Sequence, residues 1–214
     1  MKKLLILAAF AIVLFSCNSG SDSANTGEAT TQHQSDTDNS TAASSENHMK
    51  AMHDVMNNSM QRMHGLALTG NADHDFTMLM MHHYKGAIDM AQIEVKGGTD
   101  ETMKQMAQKI IDAQAKENEH FNQFMQDHPH AETSDFGEKA KGMMTPMSDI
   151  KMDGSSLDAM FASMMIPHHQ DAVKMAQEYL KVAKNEELKK IARNIIETQP
   201  KEIQEFQSWL SNRK

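Results

Sequence analysis

Methionine and histidine are the residues in this chain whose types and spacing point to chemistry. One stretch occurs twice. It runs Phe76-Thr77-Met78-Leu79-Met80-Met81-His82-His83-Tyr84 with Ala87, Met90 and Ala91 following, and again as Phe161-Ala162-Ser163-Met164-Met165-Ile166-Pro167-His168-His169 with Ala172, Met175 and Ala176 following. At an offset of 85 residues, Phe76, Met80, His83, Ala87, Met90, Ala91 and Gln92 fall on identical residues. The match continues through Gln114, Lys116, Glu117 and Phe121 against Gln199, Lys201, Glu202 and Phe206. A fixed offset held over this length is an internal repeat. Ahead of it, Met49, Met52, His53, Met56, Met60, Met63 and His64 recur every three or four residues, the stripe of one helix face.

On a helix of 3.6 residues per turn, Met80, Ala87 and Met90 share a face with His83, and Met165, Ala172 and Met175 share one with His168. Thioether sulfur selects Cu(I), and imidazole accepts copper in either oxidation state. A thioether also carries no proton to displace, so such a site holds metal without the pH penalty of a thiolate. The candidate metal ligands are therefore Met49, Met52, His53, Met56, Met60, Met63 and His64 in the stripe, Met80, His82, His83 and Met90 in the first repeat, and Met164, Met165, His168, His169 and Met175 in the second. Cu(I) is the expected ion, with Cu(II) and Ag(I) as further candidates. The competing account of methionines at helical spacing is core packing, which fits Met103, Met106 and Met125 best.

These residues need helices to position them. Residues 74–96, 101–126, 157–183 and 186–211 each carry a helical apolar pattern, with Gly97-Gly98 and Asn185 marking the breaks. Asp73 reads as the first N-cap, and Pro167 and Pro200 lie inside helical patterns that they should bend. The expected fold is all-α: a four-helix bundle of two repeated hairpins, residues 73–127 and 157–214, joined by a connector at 128–156, with an extra Met/His helix at 46–65 packing outside or ordering with metal.

The composition agrees. The 214 residues include 21 Met and 12 His but one Cys, and the net charge is −8. One cysteine excludes a disulfide framework and a thiolate metal cluster. The negative charge argues against nucleic acid and attracts cations. Lys2 and Lys3 precede an apolar run, Leu4–Phe15, too short for an ordinary membrane span. Leu14-Phe15-Ser16-Cys17 resembles the lipobox of bacterial lipoproteins, which implies removal of residues 1–16 and lipid on Cys17. The Ser/Thr/Asn-rich stretch 17–45 reads as a disordered tether. Together these predict a lipid-anchored domain in the cell envelope, facing the periplasm or the surface.

The duplicated Phe-x-x-x-Met-x-x-His motif, complete as Phe161, Met165, His168, His169, Ala172, Met175 and Ala176 and followed by Gln-x-x-Glu, resembles a bacterial family first catalogued as domain of unknown function 305. The resemblance covers residues 46–212. It implies a ferritin-like helical bundle that binds Cu(I), Cu(II) or Ag(I) through Met and His and serves copper tolerance or handling, without catalysis. The first repeat departs from the motif at Tyr84, where the second has His169, and His82 is the candidate replacement ring. Two other readings compete: a helical interaction module with a Met-rich face and no metal, and a di-iron oxidase. The second needs Glu-x-x-His on two helices; Glu117-x-x-His120 supplies one, and Glu202-x-x-Glu205 does not supply the other.

Overall fold

A computed structural model describes residues 35–127 and 133–213, with side chains from residue 43 and without that of residue 127. The leader, Cys17, most of the tether, His33, His128 and His130 lie outside the described residues. The described residues form six α-helices and no strand: α1 (Ser35–His64), α2 (Ala72–Gly97), α3 (Glu101–Asp127), α4 (Phe136–Gly142), α5 (Leu157–Tyr179) and α6 (Glu186–Asn212), with a 3-10 turn at Met147–Asp149. The protein is all-α, as its periodicity implies. None of these helices is long and apolar enough to cross a membrane.

Several boundaries differ from the expectation. The Met/His helix starts at Ser35 rather than Glu46, inside the stretch read as tether. Polar composition argues against a packed core, but an N-terminal extension of a helix anchored further along needs no apolar face of its own. Asn71, not Asp73, caps α2, its side chain accepting from the backbone of Asp73 and His74. The connector, expected to be broken by glycine, contains α4. Phe136 there is buried against Phe76 and Tyr179. Tertiary burial of one aromatic thus holds a helix that Gly137 and Gly142 would disfavour alone. Helices α5 and α6 run through Pro167 and Pro200 without interruption.

The repeat folds into two like hairpins, α2–α3 and α5–α6, with α2 against α5 at the centre. Each hairpin contains the same edge-to-face aromatic pair: Phe76–Phe121 at 6.0 Å and Phe161–Phe206 at 5.6 Å. Each also locks the turn of the other. Asp73, at the start of α2, accepts from Tyr179 Oη and from the backbone N–H of Lys184 and Asn185 in the α5–α6 turn. Its repeat counterpart Asp158 accepts from Thr99 N, Thr99 Oγ1 and Asp100 N in the α2–α3 turn. Charge-assisted bonds to turn N–H groups are among the stronger hydrogen bonds, worth about 1.5–3 kcal/mol each. Reciprocal locking requires α2 and α5 to run antiparallel about a pseudo-twofold axis.

One departure from the symmetry is chemical. Where Tyr179 meets Asp73, Glu94 faces Asp158. Glu94 is fully buried and its carboxyl group meets that of Asp158 in a side-chain hydrogen bond. Burial first, and then the neighbouring Asp158 carboxylate, push its pKa up to about 9. Burial also raises Asp158, but the Asp100 N–H and its other donors outweigh that and hold it below its ordinary value.

Helix α1 lies across α2 and reaches α5. Its stripe faces inward, with Met52, Met56 and Met63 buried. The extra helix therefore packs on the bundle. Close approach depends on Gly86 of α2, where a Cβ would stand 2.4 Å from Ser59 Oγ and 2.9 Å from Ser59 Cβ.

Candidate metal centre

The pseudo-twofold axis passes between His83 and His168, which occupy equivalent positions of the repeat. Their rings stack at 3.6 Å with 22° between planes. His83 Nε2 lies 3.0 Å from the backbone oxygen of His168, so it is the N–H donor and Nδ1 carries the bare lone pair. His168 Nδ1 is buried and has no hydrogen-bond partner. Burial pushes His83 down to about 4, an effect that the Asp171 carboxylate partly opposes. Burial, and then the two neighbouring imidazoles, hold His168 well below its ordinary value. Both rings are therefore neutral near pH 7, the form that ligates metal.

A small, partly open pocket sits at this stack. Met56, Ser59, Met60 and Met63 line it from α1, His83 from α2, His168 and Asp171 from α5, and Met144 and Thr145 from the connector. Four thioethers thus meet two imidazoles. Met56, Met63 and Met144 are buried, whereas Met60 is partly exposed. The connector is clamped in place because Asp171 accepts from Thr145 N at 2.6 Å and Thr145 Oγ1 at 2.8 Å. Farther back, Lys141 Nζ donates to Leu66 O at 2.6 Å.

The donor set fits a soft ion. Among the described residues no group of three or more His, Cys, Asp or Glu is gathered to hold a metal, so sulfur must complete a coordination sphere here. The carboxylate cluster of a di-iron centre is not assembled among the described residues. Glu117 accepts from Tyr84 and Asn194, and His120 faces Glu187 at 3.3 Å on the surface.

The candidate ligands divide into three groups. Met56, Met60, Met63, His83 and His168 converge on the pocket. Met52, Met80, Met90, Met164, Met165 and Met175 are fully buried in the two apolar clusters of the bundle and do not line it. Met49 and His53 are partly exposed and His64 is exposed, all outside the pocket. His82 does not replace the missing imidazole of the first repeat: it is partly exposed on the α2 surface and not among the pocket residues. Its position in sequence places it about 100° around the helix from His83. His169 also leaves the pocket, its ring 6.3 Å from that of His168 and turned toward Glu202. Met144 lines the site without belonging to a helical stripe. Gly86 was the signal available for the close α1 contact, standing where the second repeat has Asp171.

Two helical hairpins crossing antiparallel, with a Met/His-lined pocket at their axis, define a small all-α repeat fold. The model of the family described as domain of unknown function DUF305 matches residues 22–125 and 122–210, and the chain belongs to that family. The fold is similar to that of CopM in an Ag-bound form obtained by soaking, at 27% identity over 68% of this chain and 98% of CopM, with a TM-score of 0.52. CopM in its Cu(I)-bound form is similar at 27% identity, 65% and 96% coverage and a TM-score of 0.51. A DUF305 fragment from Deinococcus radiodurans shares the fold at 22% identity, covering 69% of this chain and all of the fragment, with a TM-score of 0.53. No curated protein matches the chain.

Proposed function

We propose that this protein binds Cu(I), and Ag(I) as its chemical analogue, to sequester or hand on the ion at the cell envelope without catalysing a reaction. One observation carries the reading: thioethers from α1 and the connector are brought onto two neutral, stacked imidazoles at the symmetry axis. Four sulfurs and two nitrogens suit a soft monovalent ion and offer no anionic ligand apart from the already clamped Asp171. The Cu(I)- and Ag-bound states of CopM, a similar protein, support the same reading. Lipid on Cys17 would hold the domain at a membrane. The stretch after it would give the pocket reach, and Met60, the partly exposed sulfur of the set, would be the first an incoming ion meets.

The test is anaerobic titration of the mature protein with Cu(I) against a chromogenic chelator, repeated with Ag(I). Changing Met56, Met60 and Met63 together to Leu keeps volume and helix propensity. The triple variant should keep its far-UV circular dichroism and lose at least tenfold in affinity for both ions. Unchanged affinity in a folded variant would refute the proposal.

A further inference from the structure

The histidine pair of the second repeat serves two places. His168 lines the pocket, whereas His169 turns into its own hairpin and packs edge-on to Phe206 at 6.0 Å. His169 is fully buried, and its Nε2 lies 2.8 Å from Glu202 Oε2. Despite that separation, neither ring nitrogen stands in hydrogen-bond geometry with any partner. A buried polar atom left in this state is costly. The contact sets a nitrogen donor and a carboxylate oxygen side by side at ion-pair distance, both inside the hairpin. With metal–nitrogen and metal–oxygen bonds of about 2.0–2.2 Å, neighbouring ligands stand about 3 Å apart at right angles and about 3.4 Å apart in a tetrahedron, so an ion would enter by parting the pair slightly.

The first repeat is the internal control. Tyr84 occupies the position of His169, and Glu117 that of Glu202. There Tyr84 Oη donates to Glu117 Oε2 at 2.5 Å and Asn194 Nδ2 donates to Oε1 at 2.8 Å. That carboxylate is satisfied by protein groups alone. The His169–Glu202 pair is not, although both sit in the same fold.

We propose that His169 and Glu202 form a second metal site, for a borderline divalent ion of the Zn(II), Co(II) or Cu(II) class. Imidazole and carboxylate are nitrogen and oxygen donors, unlike the thioethers of the pocket. Gln199, one turn before Glu202 on the same helix face, is buried with its Oε1 unpartnered and offers a third oxygen. Its counterpart Gln114 is likewise unpartnered, so what distinguishes the second repeat is the His–Glu pair. The Glu202 side chain is 30% exposed, which gives an ion a path in and leaves room for water to complete its sphere. The chain then holds two chemically separate sites, soft at the axis and harder inside the second hairpin.

The experiment uses the mature protein, freed of metal with chelator and titrated with Co(II), read by d–d absorption and by metal content after desalting. Wild-type protein should retain one Co(II) that Glu202→Gln lacks, and Zn(II) should raise the melting temperature of the wild type but not of the variant. Ag(I) affinity at the pocket should be equal in both, which separates failure of this site from failure of the thioether site. Equal Co(II) retention by wild type and Glu202→Gln, or none by either, would overturn the proposal and leave a plain histidine–glutamate ion pair.

Discussion

Replacing Gly86 by Ala tests whether the placement of α1, and not only its methionines, makes the metal pocket. The new Cβ would stand 2.4 Å from Ser59 Oγ and 2.9 Å from Ser59 Cβ, against an ordinary contact of 3.4–4 Å. The hydroxyl can rotate away, but the Ser59 Cβ moves only with α1. Restoring contact displaces the helix by about 0.5 Å or more. Ser59 lies between Met56, Met60 and Met63, so these donors move with it. Metal sites tolerate about 0.2 Å in ligand distance. Methionine's three rotatable bonds absorb part of the displacement, so the expected loss is about tenfold in Cu(I) or Ag(I) affinity, or about 1.4 kcal/mol. Overpacking costs about 1–3 kcal/mol of stability, offset by about 1 kcal/mol from the better helix propensity of Ala. Net destabilisation should therefore be small and affinity loss the larger signal. Gly86→Ala with Ser59→Gly exchanges the two side chains across the contact and should restore most of the affinity. The assay is competitive Ag(I) titration with urea unfolding of all four members of the cycle. Full wild-type affinity in Gly86→Ala would show that the methionines reach the ion wherever α1 sits, and the argument would fail.

Other perturbations follow from the same geometry. Asp73→Ala removes three hydrogen bonds to the α5–α6 turn and should cost about 2–4 kcal/mol in urea unfolding, with Asp158→Ala losing a similar amount at the α2–α3 turn. Glu94 holds its proton in the folded state up to about pH 9 and releases it near its ordinary value when unfolded. Between those limits the folded state binds more protons, so its contribution is complete at low pH and is lost as pH rises toward 9. Glu94→Gln should remove that slope and gain stability over wild type at pH 8 relative to pH 5; parallel unfolding curves at both pH values would count against it. Asp171→Asn should loosen the grip on Thr145 and with it Met144, lowering Ag(I) affinity several-fold while far-UV circular dichroism stays unchanged.

The sequence by itself determined the long helices of the two hairpins, the repeat and the types of donor available. Helical periodicity is local, and an 85-residue offset with shared Phe, Met, His, Gln and Glu needs no structure to be seen. It also marked Met56, Met60, Met63, His83 and His168. Tertiary structure decided which methionines are core and which face the pocket. A helix stripe says that Met80, Met90, Met165 and Met175 share a face with histidine, but not that a facing helix covers them completely. His83 meets His168 because two hairpins cross antiparallel at equivalent positions, a relation spread over 85 residues that no local pattern encodes. The same crossing sends His169 away from its neighbour: successive residues on a helix point about 100° apart, so a His-His pair cannot serve one pocket from one helix face. Asp171 helps to hold the connector that brings Met144 to the site, and Gly86 lets α1 approach closely; both are contacts between distant parts of the chain, made where packing, not propensity, sets position.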